Sequence, residues 1–491
     1  MGSHNEIEIK NEYYSFGKKA KTTSLVILAI GVILFAFGVF QQSHKGDTLC
    51  CTDHKTATKV EAKAYAEKHG NTHDASHSEE ANAEKADSHT EGDKGHEHDA
   101  QGDGSHVIDH VGGHDHAQPW TARVWTNLMM NSYWFLIISV CALFFVAVQY
   151  IANAGWAIAI KRVPEAIATL IPYFLGALVL VLFFGKNEIY HWAQYFTDME
   201  AGTKGVKFDK ILDGKSPFLN TGWLIFGTGI IGLIWIYFGW RLRTLSKQED
   251  ALENHDRAIK TPIFIKSIKN SAAFTFIFAF SLSILSWLIV MSVDAHWFST
   301  IFSIYNFAVG WVSALTIICM FVLFLKKMGY LKLVTDEHVH DIGKFMFAFT
   351  IFWAYIWVSQ YLLIWYANIP EENFYYDTRY YPEWKPHFLI NVVLNFLAPF
   401  LILMSRDAKR NPSMLMLAAA FILIGKWNDL YLMVMPGSIG AGAGIGALEI
   451  GTTMMFAGFF IFMVHRSLTK RSLVPVNHPY IEESAHHEVG P

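Results

Sequence analysis

Ten runs of apolar residues, each long enough to cross a membrane as a helix, dominate this 491-residue chain. A hydrocarbon core of ~30 Å takes ~17–25 helical residues. Runs of that length lie near 24–40, 129–152, 164–185, 220–240, 272–293, 300–325, 345–367, 387–405, 413–435 and 449–465. Apolar residues continue through each run without the period-two alternation of a barrel strand, so the runs read as helices. The expected fold is all-α and polytopic, with ten transmembrane helices. Charged residues make up only 17% of the chain, against the ~25% usual in soluble domains. An ordinary soluble enzyme and a disulfide-stapled secreted domain are both excluded. The first run follows Lys18, Lys19 and Lys21 and has no small-x-small cleavage site after it, so it is expected to be a retained anchor.

Lysine and arginine orient the stack. With the N-terminus cytoplasmic, the inside segments hold 23 of them and the outside segments 15. Eight of those 15 sit in one long insert and its edge, where the positive-inside rule carries little weight. Both termini are therefore expected in the cytoplasm. Tryptophan and tyrosine gather at span ends, as amphipathic rings do at the headgroup layer.

The insert, 41–119, carries 16 Asp/Glu, 7 Lys/Arg and 12 His. It lacks the apolar density to offset ordering entropy and is expected to be a largely disordered periplasmic segment, with a short helix near 57–68. His96 and His98, and His114 and His116, are weak candidates for loose metal binding; a solvated spacer is the competing reading. Cys50 and Cys51 lie just past the first span, and no role is assigned to them.

Ionisable groups at membrane depth are costly and so are functional candidates. Lys426 and Asp429 lie ~21 and ~26 Å along the ninth helix from Pro412, counting ~1.5 Å per residue. Spaced i, i+3, they share a face and can pair, either as a structural staple or as part of a proton path. His387, Asn391 and Asn395 form one polar stripe on the eighth run, for which interhelical hydrogen bonding is the plainer account; Gln360 is read likewise. Asp294 and His296 adjoin the outer end of the fifth run, where they form either a proton relay or a polar turn. His338, His340 and Asp341 open the seventh helix at its cytoplasmic end, where simple solvation is an alternative to proton handling. Glu449 begins the tenth helix, and a carboxylate there is also a favourable cap. The preceding loop has G-x-G-x-G but follows no strand and lacks a Lys-Ser/Thr, so it reads as a flexible connection and not a phosphate site.

The four cysteines, Cys50, Cys51, Cys141 and Cys319, form no C-x-x-C or C-x-x-C-H group. Histidines deep in the spans are too few for axial haem ligation. No catalytic residue and no cofactor are assigned to this chain, and redox centres would have to come from partner subunits.

Three stretches carry a family likeness: DAHWFSTIFSIYNFAVGW at 294–311, FWAYIWVSQYLLIWYANIPEENFYY at 352–376, and NPSMLMLAAAFILIGKWNDLYLMVMPG at 411–437. They resemble the F subunits of bacterial alternative complex III, a quinol:electron-acceptor oxidoreductase, within the NrfD-like family of polysulfide-reductase-type membrane subunits. The resemblance covers roughly 120–470 and leaves out the His-rich insert. It implies two four-helix bundles, over 120–294 and 295–435, with one peripheral helix on each side. The remaining segments would be a cytoplasmic N-terminus (1–23), the first transmembrane helix (24–40), the insert (41–119), the Gly-rich outer loop with the last helix (436–470), and a cytoplasmic tail (471–491). It also implies a bacterial inner-membrane location and partners: a multihaem cytochrome with haem c, an iron–sulfur subunit, a second NrfD-like membrane protein, and small membrane and haem subunits. Quinol or quinone would bind within the complex, and lipid, not nucleic acid, would surround it.

The function expected on these grounds is a redox-silent membrane subunit of a quinol-oxidising complex. It would serve as a structural platform and as a proton half-channel or secondary quinone-binding subunit. The alternative from another class is a secondary cation transporter fed by the His-rich insert. Against it, the spans lack the His/Asp pairs at i, i+4 that zinc exporters use.

Overall fold

The computed structural model describes residues 9–49, 119–203, 208–252, 262–440, 442 and 444–488. Contacts divide the chain into one unit of Met1–Gln42 with Ala117–Pro491, and a second of Ser43–His116. Cys50, Cys51, His96, His98, His114, His116 and the helix expected near 57–68 lie outside the described residues.

All ten apolar runs are helices long and apolar enough to cross a membrane. They are α1 (Lys18–His44), α2 (Trp120–Ile151), α3 (Arg162–Ile189), α4 (Trp223–Asp250), α5 (Pro262–Ile289), α6 (Phe302–Lys327), α7 (Asp336–Ala367), α8 (Lys385–Leu403), α9 (Pro412–Ile439) and α10 (Ala447–Leu468). Among the described residues the only strand-like pairing is a single bridge between Tyr13 and Ser472. The chain is thus a multi-pass helical membrane protein.

Burial ranks the helices. In α2 and α6, 83% and 89% of the most apolar stretch lies inside the protein, against 17% in α1. Helix α2 packs against α3, α5, α6, α9 and α10. Helix α4 joins α3 to α5, and α8 joins α7 to α9, while α6 touches α5, α7 and α9.

Lipid offers helices no hydrophobic drive to associate, so close approach at small residues does the work. The peripheral helices show it. A Cβ on Gly31 of α1 would lie 2.3 Å from the Met455 backbone nitrogen of α10, and one on Gly451 of α10 would lie 2.3 Å from that of Phe35. Gly38 against Leu448 and Gly458 against Leu28 repeat the contact seven residues along. Helices α1 and α10 are therefore neighbours, where the sequence resemblance set one on each side.

Three helices depart from regular geometry. Helix α3 breaks between Ala168 and Ile171, where Pro172 has no N–H to continue the ladder. Helix α8 turns π-helical over Val393–Leu397, just before Pro399, which leaves the Asn395 carbonyl without its usual donor. Helix α4 has a π segment of the same length at Trp223–Gly227.

The two chain ends meet at one end of the helices, here the termini end. Tyr14 hydrogen-bonds His465 at 2.9 Å, the Leu331 N–H donates to Glu12 at 2.9 Å, and the Asn477 amide donates to the Asp250 carbonyl at 3.1 Å.

Candidate functional site

The most elaborate polar site is built around Asp429, fully buried on α9. Its Oδ1 accepts from the Tyr305 hydroxyl on α6 and, at 2.7 Å, from the Asn391 amide on α8. Its Oδ2 accepts from the Trp353 indole N–H on α7 at 2.7 Å. Four consecutive helices thus converge on one carboxylate. A carboxylate taken out of water needs such donors, each worth roughly 1.5–3 kcal/mol when one partner is charged.

Lys426, one turn away and equally buried, makes no direct contact with that carboxylate. Among the described residues no Asp or Glu oxygen lies within 4.0 Å of its ammonium, and Nζ has no hydrogen-bond acceptor. It sits 3.8 Å from the centroid of the Trp353 ring, a cation–π position. The i, i+3 spacing put the two residues on a common face, and one indole serves both: its edge meets Asp429 and its face meets Lys426.

The polar stripe of α8 is continuous with this site. Asn391 Oδ1 accepts from the Asn395 amide at 2.7 Å and from the Asn428 amide at 3.3 Å. The Asn428 amide also donates to the His387 carbonyl at 3.0 Å, and Asn428 Oδ1 lies 3.0 Å from His387 Nδ1. Asn395 reaches the Gly425 carbonyl at 2.9 Å. A Cβ at Gly425 would stand 2.9 Å from the Asn395 amide carbon, so α8 and α9 can approach here only because residue 425 is glycine. Hydrogen bonding between helices explains the stripe, and the same bonds lead into Asp429. Gln360 is buried on α7, and neither of its side-chain polar atoms has a partner among the described residues.

The remaining candidates fall into separate places. Asp294 is buried and pairs at 2.9 Å with Arg379 of the short helix Pro370–Tyr380. Arg379 also donates to the Leu432 and Met433 carbonyls of α9, at 2.8 and 2.9 Å, and lies 3.5 Å from the Tyr375 ring centroid. Burial opposes its charge, but Tyr375 and the Asp294 carboxylate outweigh burial and hold it above the ordinary arginine value. His296 does not join Asp294. It bonds Asp209 at 2.6 Å in a partly exposed site. There burial would raise Asp209, but bonds from His296 and the Leu212 N–H outweigh it and lower that carboxyl.

Glu449 is fully buried and caps α10 through the Gly446 N–H at 2.8 Å. It also binds Arg123 of α2 at 2.7 Å. That arginine reaches back to the Gly442 and Gly444 carbonyls, and Trp384 donates to the Gly440 carbonyl at 3.1 Å. The loop expected to be a flexible connection is pinned at three of its carbonyls.

At the termini end, solvation of His338, His340 and Asp341 does not hold, because all three are buried. The helix Ile481–Ala485 and the residues after it fold over them: His338 Nε2 lies 3.3 Å from Ser484 Oγ, and His487 Nε2 lies 2.7 Å from Asp341. Lys344 also pairs with Asp341, at 2.6 Å. His340 Nδ1 has no hydrogen-bond partner among the described residues and lies 3.9 Å from Glu337. Nearby, Lys161 binds Tyr150 at 2.5 Å and Glu249 at 3.4 Å.

Sequence reasoning missed Tyr305, Trp353, Asn428, Arg379 and Arg123. Arg123 and Tyr305 sit in the first turns of α2 and α6, Arg379 in a short helix between spans and Trp353 in mid-span, all places where residues of their types are ordinary. Only Asn428, flanked by Trp427 and Asp429, had a local signal.

Fold and site together define a multi-pass helical membrane protein with a hydrogen-bonded carboxylate deep among its helices. Neither a protein-family model nor a curated protein matches the chain.

Proposed function

We propose that this chain is a cofactor-free integral membrane subunit of a quinol-oxidising respiratory complex of the alternative complex III type. Asp429 would be the proton-carrying centre of a half-channel. The observation that carries the reading is the convergence of Tyr305, Trp353 and Asn391 on one fully buried carboxylate, beside a lysine with no hydrogen-bond acceptor among the described residues. A carboxylate held by donors on three neighbouring helices, and linked through Asn391 and Asn428 to His387, is a chemically sound station for a proton. The helix pairings support two four-helix bundles, α2–α5 and α6–α9. The lysine and arginine bias supports cytoplasmic termini and a periplasmic insert in a bacterial inner membrane. Haem c, iron–sulfur clusters and the quinol-oxidising chemistry belong in this reading to the partner subunits.

Purification from membranes in mild detergent, followed by haem and iron assays, tests the assembly. Co-purifying cytochrome and iron–sulfur subunits are expected. Gradient-driven metal uptake by the isolated chain in proteoliposomes would replace this reading with the transporter. In the assembled complex, Asp429→Asn should lower proton release per quinol oxidised. Normal assembly with unchanged oxidation and proton release would remove Asp429 from any proton path.

A further inference from the structure

A second charged site lies at the termini end, in a shallow surface recess between α3, α4 and α10. Arg162, Arg243, Arg471, Glu165, Ser467 and Ser472 line it. Glu165 accepts from Arg162 at 2.8 Å and from Arg471 at 3.2 Å, and Asp250 binds the same two arginines. Lys161 also pairs with Glu165, at 3.6 Å, and with Glu249, at 3.4 Å, so three cations and three carboxylates balance. Arg243 stands outside that exchange. Among the described residues no carboxylate lies within 4.0 Å of it, and its terminal nitrogens reach only Ser467 Oγ, at 3.4 and 3.5 Å. Arg162, only 4% exposed, also has no acceptor for its Nε–H among the described residues. Among the described residues the recess therefore has one surplus positive charge and two serine hydroxyls, and Arg162, which lines it, has a buried N–H with no acceptor.

We propose that this recess binds the phosphodiester of one anionic phospholipid. A phosphodiester carries a single negative charge and oxygen acceptors suited to guanidinium donors, and basic pockets between membrane helices take such headgroups. What lies beside the recess favours a lipid over free phosphate. Trp240, three residues before Arg243, is 60% exposed, and Tyr237 is 53% exposed, as belt residues at the headgroup layer are. From Thr169, which bonds Ser467 at 3.1 Å, four residues along α3 lead to Tyr173. The exposed ring of Tyr173 packs on Phe459 of α10 at 5.9 Å between centroids. An acyl chain can lie along that surface while the phosphate sits above it.

The test uses the full-length chain in its purified complex, stripped of lipid by detergent exchange and titrated with phosphatidylglycerol, phosphatidylcholine or inorganic phosphate while Tm is followed. Phosphatidylglycerol should raise Tm to a plateau, with lipid mass spectrometry counting about one more retained molecule per chain than in Arg243→Gln. That variant should lose most of the shift, and Arg243→Lys should restore part of it. An equal plateau and equal retention in Arg243→Gln would overturn the proposal. The same plateau with phosphatidylcholine would overturn its charge argument, and with inorganic phosphate its lipid assignment. If Arg243→Gln does not accumulate, Ser467→Ala carries the comparison. It should weaken phosphatidylglycerol binding several-fold, and unchanged binding would overturn the proposal.

Discussion

The Trp353 indole N–H reaches the Asp429 carboxylate at 2.7 Å, joining the middle of α7 to the buried face of α9. The same ring lies 3.8 Å from the Lys426 ammonium. One side chain therefore contacts both ionisable groups, which do not touch each other. Replacing it with Phe would retain a ring face for Lys426 and remove the donor to Asp429. Trp353→Phe is expected to lower Tm in detergent, by the equivalent of roughly 1.5–3 kcal/mol, the contribution of a hydrogen bond to a charged group. An unchanged Tm would show that this bond contributes nothing.

Arg379 and Asp294 form a buried pair whose members should not be separable. Arg379→Leu leaves an uncompensated carboxylate and is expected to cost about 3–5 kcal/mol, read as a drop in Tm or faster proteolysis. The double replacement Arg379→Leu with Asp294→Leu should recover much of that loss, since an apolar pair of similar volume is often tolerated. Equal damage in the single and double variants would contradict the pairing.

The docking of α1 on α10 rests on glycine. Gly451→Val places a side chain 2.3 Å from the Phe35 backbone nitrogen and should separate the two helices. Loss of a disulfide cross-link between cysteines introduced at facing positions would report it. Gly176→Ala, where a Cβ meets nothing within 4 Å, should leave the cross-link intact.

The C-terminal segment should loosen in acid. His478 lies outside the spans and is buried; burial, with Lys161 and Arg162 nearby, holds its pKa well below the ordinary 6.5. The fold therefore favours the neutral ring. Its stabilising contribution is fully present above about 6.5. It is lost progressively as pH falls from there towards the depressed folded value, because the unfolded segment takes up the proton first. The protection of amides over 472–488, taken as the ratio of intrinsic to observed hydrogen-exchange rate at each pH, should fall between pH 7.5 and 5.5 in the native chain, and this dependence should flatten in His478→Gln. A profile identical in the variant would assign the effect to other groups.

Much of the fold was legible because membrane insertion writes itself into local sequence. A run such as 300–325 must be helical to satisfy its own backbone in lipid, whatever it packs against. Candidate charges were legible for a related reason: Lys426 and Asp429 stand out against an apolar background. Their partners did not stand out. Trp353 and Tyr305 look like any other aromatic residues of a membrane helix, and Arg379 like any polar residue of a loop. The solvated reading of His338 and Asp341 failed because it could not include a tail almost 150 residues away in sequence that folds over them.

By itself, the sequence determined ten helices and which side chains would be costly at depth. Each of those follows from the chemistry of one segment against lipid. Only the tertiary structure decided that Asp429 is held from three other helices while Lys426 rests on an indole, that Asp294 belongs to Arg379 and not to His296, and that Arg243 reaches no carboxylate among the described residues. Those outcomes depend on which helices are neighbours and at what rotation, set by contacts between residues far apart in the chain, such as Gly425 against Asn395 and Gly31 against Met455.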